Sequence, residues 1–102
     1  MYNCAYNHSM GFTWDAGKEE ANRRKHGVAF ADAIGIFADA GAIIIQTESL
    51  EEVRFVALGV DLLARVVVVV YTIRGEHIRL ISARKATRRE RLRYGIQNEE
   101  RV

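Results

Sequence analysis

The longest apolar run of the chain, "RVVVVVYTI" at residues 65–73, is β-branched at most positions and contains no turn residue. β-Branched side chains are stiff at χ1 and crowd a helix, so the run reads as a strand. Its unbroken apolarity puts that strand at the centre of a sheet, covered on both faces. Arg74-Gly75 then reads as a two-residue turn, with "EHIRLISAR" (76–84) alternating back as the antiparallel partner. This register sets Val70 opposite Arg79 and Thr72 opposite His77, and it puts Arg84 on the face opposite Arg79. Upstream, "GAIIIQ" (41–46) and "VRFVALGV" (53–60) are two further strands. The polar loop "TESLEE" separates them, and "DLLA" forms the loop into the central strand.

Elsewhere the apolar period is helical. "DAGKEEANRRKHG" (15–27) has Asp15 as N-cap, Glu19 and Glu20 early, a basic run late, and Gly27 in the C′ position. "FADAIGIFAD" (30–39) places Phe30, Ala33, Ile34 and Phe37 at helical spacing, although Gly35 weakens that helix. "ATRRERLRYG" (86–95) opens on a capping box, Thr87 with Glu90, and Gly95 reads as its stop. "GFTW" (11–14) leads into the first helix as a short strand. The fold class expected is α+β: two N-terminal helices, a four-stranded antiparallel meander with room for the short N-terminal strand to add, and a C-terminal helix. Residues 1–11 form an N-terminal extension, 12–95 a single domain and 96–102 a C-terminal tail. Trp14 and Phe30 are core anchors.

Composition narrows the chemistry. The chain has 102 residues, 49% hydrophobic and 27% charged, the profile of one globular domain. The single cysteine, Cys4, excludes an internal disulfide and a cysteine-based metal site. His8, His26 and His77 are scattered without ligand spacing, so neither a metal nor a cofactor is expected. There is no signal sequence and no span long enough for a membrane, which makes a cytoplasmic location the expectation. No G-x-S-x-G elbow and no phosphate-cradling glycine loop occurs. Net charge is only +2, but residues 1–64 sum to −4 (five Lys+Arg, nine Asp+Glu) and residues 65–102 to +6 (ten and four). Twelve of the fifteen cations are arginine, whose fork matches phosphate geometry, so the composition leans toward nucleic acid.

The cations placed on ordered elements are the candidates. Arg54 begins a strand whose same-side neighbours are apolar; it is either a phosphate clamp or a partner of Glu52. Arg79 sits mid-strand among apolar residues. Arg84 ends the same strand. Lys25 and His26 close the first helix, where the bland reading is a helix end favoured by the macrodipole and the functional one is proton transfer. The arginines of the last helix read mostly as solvated surface.

Three stretches together resemble a known family. They are W-D-x-x-K-x-x-x-N-x-x-K-H-G (Trp14 to Gly27), E-x-R (Glu52, Arg54), and R-x-I-S-A-R-x-A (Arg79 to Ala86) followed by E-R-x-x-Y (Glu90, Arg91, Tyr94). In order and spacing they are similar to the BrnT toxins, from Phe12 to about Gly95. The resemblance implies a RelE-like α+β fold and a metal-independent endoribonuclease that blocks translation. It also implies a small BrnA-like antitoxin, which neutralises the toxin and binds operator DNA, so that operator DNA is met only through the antitoxin. Cleavage by the ribose 2′-hydroxyl would cast Arg54 and Arg79 as clamps on the phosphorane and Lys25 or His26 as base or acid. Arg84 would contact phosphate or support the site, Tyr94 would stack on a base or move a proton, and Glu52 would orient Arg54. The alternative is a non-catalytic module that binds RNA or a partner protein through the same basic face. Arg54 and Arg79 near a titratable Lys25 or His26 would favour the enzyme; arginines each locked by a carboxylate would favour the module.

Overall fold

The structure is a computed structural model and describes residues 11–48 and 52–99; most of the expected N-terminal extension and the middle of the 47–52 loop lie outside the described residues. The elements in chain order are β1 (Gly11–Thr13), α1 (Ala16–His26), α2 (Phe30–Ala33), a 3-10 helix (Ile34–Ala38), β2 (Ile43–Glu48), β3 (Val53–Val60), β4 (Val66–Arg74), β5 (His77–Lys85) and α3 (Arg88–Glu99). The five strands form one mixed sheet in the order β1-β5-β4-β3-β2. β2 to β5 are the antiparallel meander expected, with β4 at its centre. The sheet is larger than four strands because β1 joins it, parallel to β5. Most of the chain, from α1 to β4, runs between these two parallel neighbours, which no tight turn could join.

Local chemistry explains the helix ends. Asp15 is extended and accepts a bond from the Lys18 backbone N–H at 2.9 Å, while the Gly27 N–H closes α1 on the Arg23 carbonyl at 2.8 Å. The second helix is shorter than its apolar period suggests, one turn of α followed by 3-10. A Cβ on Gly35 would stand 2.5 Å from the Leu62 backbone nitrogen and 2.8 Å from the Asp61 carbonyl carbon. The helix therefore gives up a side chain there so that the β3–β4 turn can dock, which it does through Leu62 N–H to the Asp32 carbonyl at 3.0 Å. At α3 the capping box forms as expected: Thr87 N–H donates to Glu90 at 2.8 Å and Glu90 N–H to the Thr87 hydroxyl at 3.2 Å. The helix runs through Gly95 to Glu99 instead of stopping, since nothing at Gly95 adopts a left-handed conformation.

Two clusters of apolar side chains make the core. On the inner face of the sheet, Val67, Val69, Tyr71, Ile78 and Leu80 pack under Val28, Phe30, Ala33 and Ile36. Trp14 meets Phe30 edge-on at 5.8 Å, and Phe55, Tyr71, Phe37 and Phe12 form a chain of ring contacts 4.9–5.3 Å apart. Each fully buried side chain of this cluster, such as Phe30 or Val69, contributes about 1.5–3 kcal/mol. On the outer face α3 covers only one end, where Tyr94 and Ile43 pack around Leu58, Val68 and Ala86. No other described element covers that face. Among the described residues no helix is long and apolar enough to cross a membrane.

Candidate phosphate-binding face

Two local features of the β4–β5 hairpin differ from the expected register, and both act on the site. The turn is Gly75-Glu76, one residue later than Arg74-Gly75, and Arg74 pairs with His77. Of the two central residues only Gly75 has positive φ (60°), the pattern of a II′ turn, in which glycine takes the first central position. Thr72 therefore lies opposite Arg79, and Val70 opposite Ser82. The second feature is a bulge between Val70 and Tyr71, where the partner jumps from Ser82 to Leu80 and Ile81 is left over. An extra residue reverses the alternation of side chains beyond it. Arg84, opposite Val68, thus falls on the same outer face as Arg79 instead of the opposite one.

The outer face carries a row of polar side chains across all five strands. Thr47 of β2 pairs with Arg54 of β3, Thr72 of β4 with Arg79 of β5, and Arg79 with Thr13 of β1. Arg54 follows Phe55 in register, which places it opposite Thr72. Hydroxyls and guanidiniums therefore alternate along the row. Arg54 and Arg79 are two strands apart, about 10 Å between backbones, a span that two long side chains can close around one anion. Beside this row lie Glu52, Arg74 and His77. Glu52 accepts from Arg54 Nε at 3.2 Å and from Arg74 Nη2 at 3.4 Å. Thr72 Oγ1 donates to the Val53 carbonyl at 2.8 Å, which ties the row to the β3 edge. Arg79 is half-buried and makes no side-chain hydrogen bond or ion pair among the described residues.

The other candidates stand elsewhere. Arg84 makes a two-pronged bond to Glu90, both contacts at 2.9 Å. Those bonds hold the Glu90 carboxyl down at about 2, against the opposing effect of burial, with the Thr87 N–H assisting; the Arg84 guanidinium shifts upward in turn. Arg84 therefore fixes the start of α3. Tyr94 donates its hydroxyl to Asp39 Oδ2 at 2.7 Å, and its phenol is pushed up to about 12 by burial and then by that bond. Lys25 and His26 end α1 next to Gly27, whose carbonyl accepts from Arg65 Nη1 at 3.2 Å and beside which the Lys85 ammonium lies. Lys85 is six residues along β5 from Arg79, about 20 Å at strand spacing. The structure places Arg54 and Arg79 in one row on either side of Thr72, whereas Lys25 and His26 adjoin Gly27 at the Lys85 end of β5.

Three residues have clear structural duties that the sequence did not assign: Asn22 stood there only as a motif position, and Asp39 and Asp61 were not singled out. Asn22, mid-helix and buried, donates to the carbonyls of Ala83 (2.8 Å) and Val28 (3.3 Å) and accepts from the Ala83 N–H (3.2 Å). Its signal was an asparagine inside a helix, where it has low propensity unless its amide is used. Asp39 accepts from the Gly41 and Val60 N–H groups, both at 2.9 Å, besides Tyr94; the turn "DAG" is its trace in the sequence. Asp61 holds Arg65 at 2.8 Å across the β3–β4 turn. No group of three or more His, Cys, Asp or Glu among the described residues converges as a metal site.

An α+β domain with an open cationic sheet face is the frame that the comparisons fill. The family model for the ribonuclease toxin, BrnT, of type II toxin–antitoxin systems matches residues 14–90. The 1.1 Å crystal structure of the Brucella abortus ribonuclease toxin, BrnT, aligns at 28% identity with a TM-score of 0.63, over 76% of this chain and 96% of that one. Among curated proteins none matches. The class is thus that of ribonuclease toxins. With three quarters of its length matched, the chain belongs to the BrnT family.

Proposed function

We propose that the chain is the toxin of a type II pair, a metal-independent endoribonuclease that cuts RNA by attack of the ribose 2′-hydroxyl, and that a cognate antitoxin neutralises it. The observation that carries this reading is the Thr-Arg-Thr-Arg-Thr row on the outer sheet face, with Arg79 in it lacking a carboxylate partner among the described residues. A ribose 2′-oxygen attacking phosphorus makes a phosphorane with added negative charge. Two preorganised guanidiniums, Arg54 and Arg79, stabilise that charge more than the ground state, which is how they accelerate the step. Thr72 and Thr47 give their hydroxyl protons to the Val53 and Arg54 carbonyls, so they brace the strands that carry the two guanidiniums.

The proton transfers need a titratable group near that phosphate. His77 lies two residues from Arg79 on the same face, about 7 Å along the strand, and we assign it to the row as acid or base. Glu52 orients Arg54 and Arg74. Lys25 and His26, expected as base or acid, are then too far along β5 for the same phosphate and meet the RNA further along its strand. Arg84 supports the site through α3, and Tyr94 does so through Asp39. An RNA target and an antitoxin partner put the action in the cytoplasm.

The rival reading is a binding module without catalysis. It draws on Arg54, Arg74 and Arg84, each held by a carboxylate. One experiment separates the two: incubation of a defined RNA with antitoxin-free protein in excess EDTA, beside Arg79→Ala and His77→Ala. The enzyme reading expects cuts with 2′,3′-cyclic phosphate ends, reduced about 10²–10³-fold in Arg79→Ala. RNA binding without any cut, equal in the wild type and in His77→Ala, would establish the module.

A further inference from the structure

Among the described residues the sheet closes one edge and leaves the other open. β1 pairs with only three residues of β5, and beyond them the side chain of Asn22 takes up the backbone N–H and carbonyl of Ala83, as a neighbouring strand would. At the other edge β2 is the last strand, and its register with β3 is regular throughout. Ile44 and Ile45 are 54% and 46% exposed. An open strand edge is a template for another strand, and natural proteins blunt it with lysine, proline, a bulge or a very short strand. From Ile43 to Thr47, β2 has none of these.

We propose that β2 pairs antiparallel with β2 of a second copy, about a twofold axis at Ile45, to give one ten-stranded sheet. The occupant follows from the strand's own chemistry. Ile43–Thr47 carries no charge, so it offers nothing for a charged partner segment to read, whereas it is complementary to itself across a twofold, where each residue meets its counterpart. With the axis at Ile45, Ile43 faces Thr47 of the second copy and Ile44 faces Gln46. Position 48, a glutamate, falls opposite position 42, an alanine, so no like charges face each other. Ile43 and Ile45 border a recess on the outer face walled by Val56, Leu58 and Val68, with Glu90 and Arg93 on its α3 side, and the axis at Ile45 joins the recesses of the two copies. The pairing is independent of the ribonuclease reading.

Sedimentation of the full chain over the micromolar range is the first test. The expected mass is twice 11.6 kDa. Ile45→Lys, which sets two ammonium groups face to face on the axis, should return it to the single mass. Leu92→Lys, equally exposed on α3, should leave the dimer intact. The register has its own test that does not depend on the stability of the lysine variant. In a Cys4→Ser background, Ile45→Cys should oxidise to a covalent dimer, since directly opposed Cβ atoms lie about 4.5–5.5 Å apart, while Ile44→Cys should not. A wild type that stays at single mass, or a dimer unaffected by Ile45→Lys and not cross-linked by Ile45→Cys, would overturn the proposal. Protection of the β2 amides from hydrogen exchange only in the antitoxin complex would overturn it in favour of a strand supplied by the antitoxin.

Discussion

Replacing Asn22 by alanine is the sharpest test of how α1 is held. The Asn22 amide satisfies both backbone groups of Ala83 and a carbonyl at Val28, all in a buried position. Asn22→Ala leaves the Ala83 N–H and carbonyl without partners, and each orphaned buried group costs about 1–3 kcal/mol. Water entering the vacated space offsets part of this, so a loss of about 3 kcal/mol is expected. In a domain of this size that corresponds to a fall of about 12–20 °C in Tm. Equilibrium urea unfolding followed by circular dichroism would read it as a lower midpoint at constant slope. Asn22→Asp adds a sign. The new carboxylate still accepts from the Ala83 N–H but confronts two carbonyls, so burial raises its pKa in the folded state. Its deficit should therefore be complete only above that raised pKa and shrink as pH falls from there toward the usual carboxylate range. A loss under about 1 kcal/mol for Asn22→Ala would refute the claim that this side chain completes the β5 edge.

Three further expectations concern the frame. Gly35→Ala forces a methyl into the backbone of Asp61 and Leu62, and should cost about 2–3 kcal/mol in a thermal melt by displacing the β3–β4 turn. The Arg84–Glu90 pair holds Glu90 at about 2 instead of 4.5, and as a lowered carboxyl it stabilises the fold above its unfolded pKa and loses that contribution as pH drops from about 4.5 toward 2. Both side chains are partly exposed, so Glu90→Gln should cost only about 1 kcal/mol at pH 7 and converge with the wild type near pH 2 in acid titrations. Tyr94→Phe removes the bond to Asp39 and should cost about 1.5 kcal/mol, with faster hydrogen exchange along α3.

The parts of the fold legible in the sequence were those written by local rules. Asp15 and Gly27 bracket α1 because capping involves only neighbours, and the Thr87–Glu90 box forms for the same reason. The valine run gave the central strand. What the pattern could not supply was register. A turn at Arg74-Gly75 and one at Gly75-Glu76 fit the same glycine, yet they differ in which residue faces Arg79. The bulge at Val70/Tyr71 has no mark in an uninterrupted valine run, and it alone brings Arg84 to the face of Arg79. The pairing of β1 with β5 is a contact between residues more than sixty positions apart, invisible to any local window. The cationic residues were thus legible as types, whereas their division between the row and the two ends of the sheet depended on three non-local events. Lys25 and His26, which the resemblance cast beside Arg54, close α1 next to Gly27, where the Lys85 ammonium lies, six residues along β5 from Arg79.

The charge left on the row leads to a last expectation. Arg54 and Arg74 share one carboxylate, Glu52, and Arg79 has none among the described residues, so three guanidiniums face a single acid. Such an arrangement is repulsive in the empty protein, and the repulsion is relieved when an anion binds. A residue kept for function at that cost should be neutral or favourable to remove. Arg79→Ala is accordingly expected to match or exceed the wild type in Tm when no ligand is present. With a 2′-deoxy oligonucleotide, which binds but lacks the attacking hydroxyl, the wild type should gain about 2.7 kcal/mol at a hundredfold excess over Kd, and the variant clearly less. The gain should also fall steeply with added salt, because released counterions drive phosphate binding. If Arg79→Ala instead melts lower by several kcal/mol and gains as much from the oligonucleotide, the guanidinium serves packing on the sheet, and the row is not where phosphate binds.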